Sequence, residues 1–342
     1  MQNLFIELLR VSLGTREQLS RLYSIHEWEE SFHEAQRQAI AGIFVDGLDR
    51  LPKEQLPPKS ILIQWVGLSQ LLSGAYSLHC KRSSEIVSIV AKEGFRSCII
   101  KGISVAHYYP NPERRQFGDI DLWVDGRRKD VMKWLKKYPI EHSVWHNVGV
   151  AIFKDVPVEI HFHPGWLYNP IRNIRLQKWF NEKIEHFFYT DSGLSITTPS
   201  NTFNAVYSLL HSFRHLMSEG IGMRHIVDFY YLVKVLTEEE KIETTILIQR
   251  FGLRRFAGGM MWILRYICGL TSSSLLIEPN EKEGRLLFED VMGGGNFGHY
   301  RLNHHGLAKR MRVMIAHYPG EVLWIVPWKI WHNCWRFLHN SK

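Results

Sequence analysis

Cysteine is scarce, with four in 342 residues: Cys80, Cys98, Cys268 and Cys334. None is spaced Cys-x-x-Cys, which argues against a zinc ribbon or a disulfide framework. They read as reduced core thiols of a cytoplasmic protein. The segment Met1-Gln2-Asn3-Leu4-Phe5-Ile6-Glu7 has neither a basic stretch nor a long apolar run, so no signal peptide is expected. No run of 18 apolar residues occurs, so no transmembrane helix is expected. Internal repeats and low-complexity segments are missing too. Residues 293–298 spell Gly-x-Gly-x-x-Gly, but they follow a helix-like stretch instead of a strand and lack the Lys-Ser/Thr of a P-loop. The dinucleotide and P-loop readings therefore fail, and a flexible loop is expected. His211 and His215 stand one turn apart, but no glutamate accompanies them as in a zincin helix. Solvent or phosphate contact is the expectation for them.

What is present suits a packed globular chain: 45% of residues are hydrophobic and 22% charged. The length allows one large domain or two to three small ones. A formal charge of +8 favours anionic partners such as nucleotides, sugar phosphates, nucleic acid or a membrane surface. Trp324, Trp328, Trp331 and Trp335 crowd the C-terminal end beside Lys329 and Arg336. Packing of a last aromatic helix on the body is favoured over peripheral membrane contact, because its polar face is thin.

Periodicity divides the chain into a helical region over 1–95, an α/β core over 96–195 and a second helical region over 196–342. Leu4, Leu8 and Leu9, then Trp28, Phe32, Ala35, Ala39 and Ile43 recur at helical spacing. Leu56-Pro57-Pro58 breaks the pattern; one helix is expected through Ile61 to Leu72 and another up to Ala91. Cys98-Ile99-Ile100 reads as a buried strand. Lys101-Gly102 ends it, and a short helix follows from Ile103 to Tyr109. A strand, a glycine and a helix N-terminus form an anion site, to which Lys101 adds charge and Ser104 a hydroxyl. In the C-terminal region Thr198-Pro199 is expected to start a helix. Phe203, Val206, Leu210, Phe213 and Met217 form its buried stripe, and Arg224 and Asp228 are spaced to pair on the next helix.

The chemistry concentrates in Arg115-Gln116-Phe117-Gly118-Asp119-Ile120-Asp121-Leu122-Trp123-Val124-Asp125. Side chains alternate along a strand, so Asp119 and Asp121 share one face and Ile120 and Leu122 the other. Two carboxylates so placed repel each other, and a hard cation such as Mg²⁺ relieves that repulsion. Asp125 shares their parity but reads as the N-cap of a helix over Arg127–Tyr138. Two further strands, Gly149–Phe153 and Val156–Phe162, form a hairpin signal. On the second, Glu159, His161 and His163 share a face. A third carboxylate on a neighbouring strand completes a two-ion site.

These residues resemble the uncharacterised nucleotidyltransferase family of bacteria, within the DNA polymerase β-like nucleotidyltransferase superfamily. The resemblance rests on Lys101-Gly102, Tyr109-Pro110-Asn111-Pro112, Arg115, Gly118-Asp119-Ile120-Asp121-Leu122-Trp123-Val124 and Val158-Glu159-Ile160-His161. It extends to the regions around Trp28, His211–Asp228 and Asn296, and so covers most of the chain. It implies an α+β fold, with a small mixed β-sheet core, flanking helices and largely helical terminal regions. It also implies Asp119 and Asp121 as the metal-binding pair and Glu159 as third carboxylate. Two Mg²⁺ ions would be held, with Mn²⁺ as a substitute. The substrate would be an NTP, and NMP would pass to a hydroxyl acceptor with release of pyrophosphate. Lys101, Gly102, Ser104, Arg115, Gly118 and His161 would meet the substrate. The chain departs from the superfamily's Gly-Ser turn, since Ile103 follows Gly102 and serine comes only at 104; Lys101 is then the substitute phosphate ligand. No array of nucleic-acid motifs is present, so RNA is the least favoured acceptor. The rival reading is a non-catalytic protein of the same fold that binds a nucleotide or sugar phosphate.

Overall fold

Between residues 96 and 161 short apolar runs alternate with period two and form a sheet buried on both faces. The computed structural model describes residues 4–182, 189–191, 196–300 and 304–340. Ahead of the sheet come helices α1 (Leu4–Ser12), α2 (Ile25–Arg37), α3 (Ala41–Leu48) and α4 (Lys59–Lys92). The sheet region contains β1 (Arg96–Ile100), α5 (Ile103–Ala106), β2 (Ile120–Asp125), α6 (Arg128–Leu135), β3 (Ile140–Ser143), β4 (Asn147–Val150) and β5 (Val158–His161). Next are α7 (Pro170–Glu182) and a small antiparallel pair, β6 (Tyr189–Asp191) and β7 (Ile196–Thr198). The rest is helical: α8 (Asn201–Ser218), α9 (Met223–Val235), α10 (Glu238–Arg250), α11 (Arg254–Tyr266), α12 (Glu281–Gly294), α13 (His304–His317), α14 (Pro319–Val322) and α15 (Ile325–Asn340).

The five strands run in the order β1-β2-β5-β4-β3. Only the central β2–β5 pair is parallel; the expected β4–β5 hairpin is there, extended by β3 at the edge. This is the mixed α+β architecture expected of the chain. On one face Ile99, Ile120, Leu122, Val124, Val158 and Ile160 pack against Ile86 and Val90 of α4 and Val131, Trp134 and Leu135 of α6. On the other, Cys98, Ile100 and Trp123 join a larger core with Trp179, Phe203 and Tyr207. That core continues into α1–α3, so both terminal helical regions share it. Polar links reinforce the join: the Thr15 hydroxyl donates to the Cys268 carbonyl at 2.7 Å, and the Arg10 Nε to the Ile267 carbonyl at 2.9 Å.

Several expectations change on folding. Residues 59–92 form one helix, not two, because nothing between Leu72 and Ala91 lacks an amide donor or bends the backbone. This helix is also long and apolar enough to cross a membrane by length and composition, with 17% of its most apolar stretch buried. Serines, glycines and glutamines, singly or in pairs, and the polar run around Lys81 and Arg82 interrupt its apolar residues, which is why no uninterrupted run of 18 stands out. A buried stripe of Ile61, Trp65, Leu72, Ile86 and Val90 ties it to the body. Asp125 is not an N-cap: α6 begins after Arg127 without a side-chain cap, and Asp125 pairs with Arg96 at 2.6 Å across β1 and β2. Ser200, not Thr198, caps α8, accepting from the Phe203 amide. Thr198 closes β7 instead. All four cysteines are free, but Cys334 is exposed and Cys80 half-buried, so only Cys98 and Cys268 are core thiols.

The last helix docks through several of its rings. Trp328 stacks on Trp166 with centroids 3.9 Å apart and planes 6° apart, and the Arg128 guanidinium lies 4.7 Å from the Trp335 ring centre. Val326, Ile330, Phe337 and Leu338 remain exposed. Deleting residues 320–342 uncovers Trp166 and also removes Glu321, which pairs with Arg172 at 3.0 Å. The melting temperature is therefore expected to fall by several degrees, with negligible vesicle binding by the full chain. Strong co-sedimentation of the full chain with vesicles, lost on deletion, would assign the exposed face to a lipid surface instead.

Candidate active site

The site follows from the register of two strands. In the parallel β2–β5 pair Asp121 lies opposite Glu159 and Trp123 opposite His161. Residues in register share a face, so the two carboxylates and the imidazole converge on the side that α8 covers. The His161 Nε2 lies 2.8 Å from Asp121 Oδ1 and 3.4 Å from Glu159 Oε2. Ligand atoms of Asp121, Glu159 and His161 all fall within 4.8 Å of one another. Asn147 on β4 donates to Glu159 Oε2 at 2.6 Å, and His142 Nε2 lies 3.4 Å from Oε1.

Lys101 closes the arrangement from the turn after β1. Its ammonium lies 2.6 Å from Asp121 Oδ1. The backbone turns sharply here, with φ +60° at Lys101 and +44° at Gly102. Such values suit glycine but strain lysine by roughly 1–2 kcal/mol. The strain has a geometric consequence. Ile100 pairs with Asp121 in the β1–β2 ladder, so a regular next residue would point to the opposite, apolar face. The turn brings the lysine back to the carboxylates.

The charges set one another. Burial alone would raise the proton affinity of Asp121, but the Lys101 ammonium and the His161 hydrogen bond outweigh it and hold its pKa at about 2. Burial works against protonation of His161, yet its bonds to Asp121 and Glu159 raise its pKa. For Glu159, burial is again opposed by His161, and the pKa falls below the usual carboxylate range. Asp119 behaves differently. The Asp121 charge, then burial, pushes its pKa up, with only partial relief from Lys101. Among the described residues no side chain pairs with its carboxylate, which lies at the wall of a cleft of about 70 Å³.

That cleft is lined by Lys101, Gly102, Arg115, Gly118, Asp119 and Asp121 on the sheet side. Opposite stand Asn204, Tyr207, Ser208 and His211 of α8, Arg224, His225 and Asp228 of α9, and Phe297. Ser104, expected to meet the substrate, is fully buried and donates to Asn204 Oδ1 at 3.1 Å instead. The helix carrying it, α5, has only four residues, which weakens the expected dipole contribution. Arg115 lines the cleft, but its guanidinium is bound in two-toothed fashion to Asp228, at 2.8 and 2.9 Å. The expected Arg224–Asp228 pair is thereby displaced: Asp228 turns to Arg115 and to the Tyr109 hydroxyl, which donates to it at 2.6 Å. Arg224 instead donates to the Gln116 carbonyl at 3.3 Å and lies 5.4 Å from the Phe297 ring centre.

The glycine-rich stretch is no simple flexible loop. It forms a 3₁₀ turn over Asn296–Gly298 whose Phe297 sits 4.9 Å from the His215 ring and 5.0 Å from that of His225. A Cβ on Gly222 would come within 2.7 Å of the Asn296 Cα, so glycine there permits the close approach. Tyr207, Arg224 and Phe297 were missed as wall residues. Their nearest sequence signals were the His211 to Asp228 region and the Gly-Asn-Phe-Gly, which point to a wall only once the helices are packed.

Residues 25–269 match the model of a family described as uncharacterised nucleotidyltransferase. The chain belongs to this uncharacterised nucleotidyltransferase family. The match takes in the whole sheet and most of the cleft, though not Phe297. No curated protein matches the chain. Among solved structures, an antigenic nucleotidyltransferase-like protein from Paracoccidioides brasiliensis is similar over 59% of this chain and 93% of its own, at 13% identity and a TM-score of 0.35. Family membership supports nucleotidyl transfer as the general activity and nucleotides as substrates.

The donor set suits a divalent cation. Asp121, Glu159 and His161 present two oxygens and one nitrogen within one ion's reach, and Asp119 adds a carboxylate at the cleft. Carboxylates suit Mg²⁺, and an imidazole beside them broadens the set toward Mn²⁺. The residues present therefore fit such an ion.

Proposed function

We propose that the protein is a Mg²⁺-dependent nucleotidyltransferase that moves NMP from an NTP to a hydroxyl acceptor and releases pyrophosphate. The observation that carries this is the close approach of Asp121, Glu159 and His161 across two adjacent parallel strands, with Asp119 and Asp121 at the wall of one cleft, in a chain of this family. The acceptor oxygen bonds to the α-phosphorus, the bond from that phosphorus to the bridging oxygen of the β-phosphate breaks, and the acceptor proton leaves to solvent or a carboxylate. A bound Mg²⁺ supplies a lowered acceptor pKa and neutralises phosphate charge. Asp121 and Glu159 would hold it, with Asp119 adding a carboxylate from the cleft wall. His161 fixes the orientation of Asp121 and Glu159 through its shared ring nitrogen. Glu159, kept ionised by His161, suits ligation better than proton transfer. The Gly102 turn and Gly118 leave room for phosphates, and Arg224 offers charge from the opposite wall. The acceptor would be a sugar, a polysaccharide precursor or a protein hydroxyl.

The test is transfer of label from the α-phosphate of each of the four NTPs to acceptors in a cell extract, with Mg²⁺ and with chelator. Magnesium-dependent labelling by one NTP is expected. Tight Mg-NTP binding without transfer, equally strong in Asp119→Asn, would replace the enzyme with a binding protein. That second reading draws on the Lys101–Asp121 pair, which already neutralises part of the site.

A further inference from the structure

The arrangement that most needs an explanation is the lysine at the centre of the acidic cluster. A two-ion site asks one carboxylate to bridge both ions, and Asp121 holds the central position. Yet its Oδ1 already accepts from the Lys101 ammonium at 2.6 Å, while the His161 Nε2 lies 2.8 Å from the same atom. Among the described residues there is one group of three potential ligands, Asp121, Glu159 and His161. Asp119 stands outside it.

Building on the metal-dependent reading above, we propose that Lys101 takes the place of one of the two cations. The site then holds a single divalent ion, and the Lys101 ammonium is a permanent second positive charge on Asp121. Three observations converge on this. Lys101 reaches Asp121 only because its backbone adopts a left-handed conformation that lysine rarely takes, and strain of this kind persists where the surroundings over-determine it. The lysine side chain is only 21% exposed and Asp121 only 3%, so the pair is shielded from competing water. The charges also favour it: the Lys101 ammonium already offsets part of the negative charge of Asp119, Asp121 and Glu159, so less is left to hold a second divalent ion. A second ion at Asp121 would have to displace Lys101 and leave a largely buried ammonium without its partner, an arrangement that is strongly unfavourable.

Lys101 is thus distinguished from a lysine that merely greets the incoming triphosphate. It acts at Asp121 whether or not nucleotide is present, and its removal changes metal binding itself. The superfamily's Gly-Ser turn is replaced here by Lys101-Gly102, so this departure and the single-ion site would go together.

The experiment is equilibrium dialysis of the full chain against Mn²⁺ alone, with free ion followed by electron paramagnetic resonance. Wild type is expected to bind one Mn²⁺. Lys101→Met, which keeps the length and apolar stem but removes the charge, is expected to bind a second ion, or to bind the first about tenfold more tightly. Lys101→Arg keeps the charge and should retain the wild-type count and affinity, which separates charge from packing; matched circular dichroism spectra establish that each variant is folded. Two ions in wild type would overturn the proposal and leave the metal-dependent reading intact. So would an unchanged count and affinity in folded Lys101→Met. No binding in wild type or either variant would overturn both.

Discussion

Asp119→Asn is expected to lower nucleotidyl transfer by about 10²- to 10³-fold, the range found when a single preorganised stabilising group is removed. The amide keeps the shape of the side chain but lacks the charge that a hard cation needs. That stabilisation is greater in the transition state than in the ground state, so the loss should appear in kcat. Stability should move the other way. The Asp121 charge and burial raise the folded pKa of Asp119 above its unfolded value near 3.9. A raised carboxylate pKa means that folding disfavours ionisation, so the charge costs stability once the pH passes both values. At pH 7 the asparagine variant should melt at the same temperature or higher. Pyrophosphate release and a thermal melt on the same sample check both halves. Transfer within about twofold of wild type would remove Asp119 from the chemistry, and a melting temperature several degrees lower would make it structural. Asp121→Asn offers the contrast: its folded pKa is held at about 2, so its charge stabilises the fold above the unfolded pKa and this is lost as the pH falls through 2. That variant should lose both activity and stability at neutral pH.

Arg115→Ala should destabilise the protein by about 3–5 kcal/mol, since it breaks a buried ion pair and leaves one charge without its partner. Arg115 is 5% exposed and the Asp228 side chain 10%. The pair joins the segment entering β2 to α9, residues 113 positions apart, and the Tyr109 hydroxyl completes it. Burial alone would raise the Asp228 pKa; Arg115 outweighs that and lowers it. The stabilisation is therefore complete above the unfolded carboxylate pKa and is lost as the pH falls through the lower folded one. Urea unfolding at pH 7 measures the loss. Arg115→Lys keeps the charge but not the two-toothed geometry and should lie in between. Arg115→Ala with Asp228→Asn should recover part of the loss, because no bare carboxylate remains. A change under about 1 kcal/mol in Arg115→Ala would mean that Arg115 is held for the substrate and not for the fold.

The sheet core was legible because period-two alternation needs only local information. Ile120, Leu122 and Val124 alternate with Asp119, Asp121 and Trp123, and Val158 and Ile160 alternate with Glu159 and His161; the two faces then follow from backbone geometry alone. The buried stripe of α8 was readable for the same reason, at period 3.6. Pairing across space was not. The spacing of Arg224 and Asp228 suggested a helical pair, but the tertiary fold delivered Arg115 with a planar fork that binds both oxygens of Asp228. Asp125 looked like a cap until β1 placed Arg96 beside it. Ser104 looked available until α8 brought Asn204 onto it. The apparent phosphate lysine, Lys101, turned to Asp121 because a left-handed backbone reversed the face that strand parity assigns it. By itself the sequence determined which residues lie on each face of a strand or helix, since that depends on dihedral angles a few residues apart. Which charged groups meet, and hence which carboxylate stays unpaired at the cleft, was decided by chain segments from 20 residues away (Lys101 and Asp121) to 113 residues away (Arg115 and Asp228), whose approach is set by packing of the whole core.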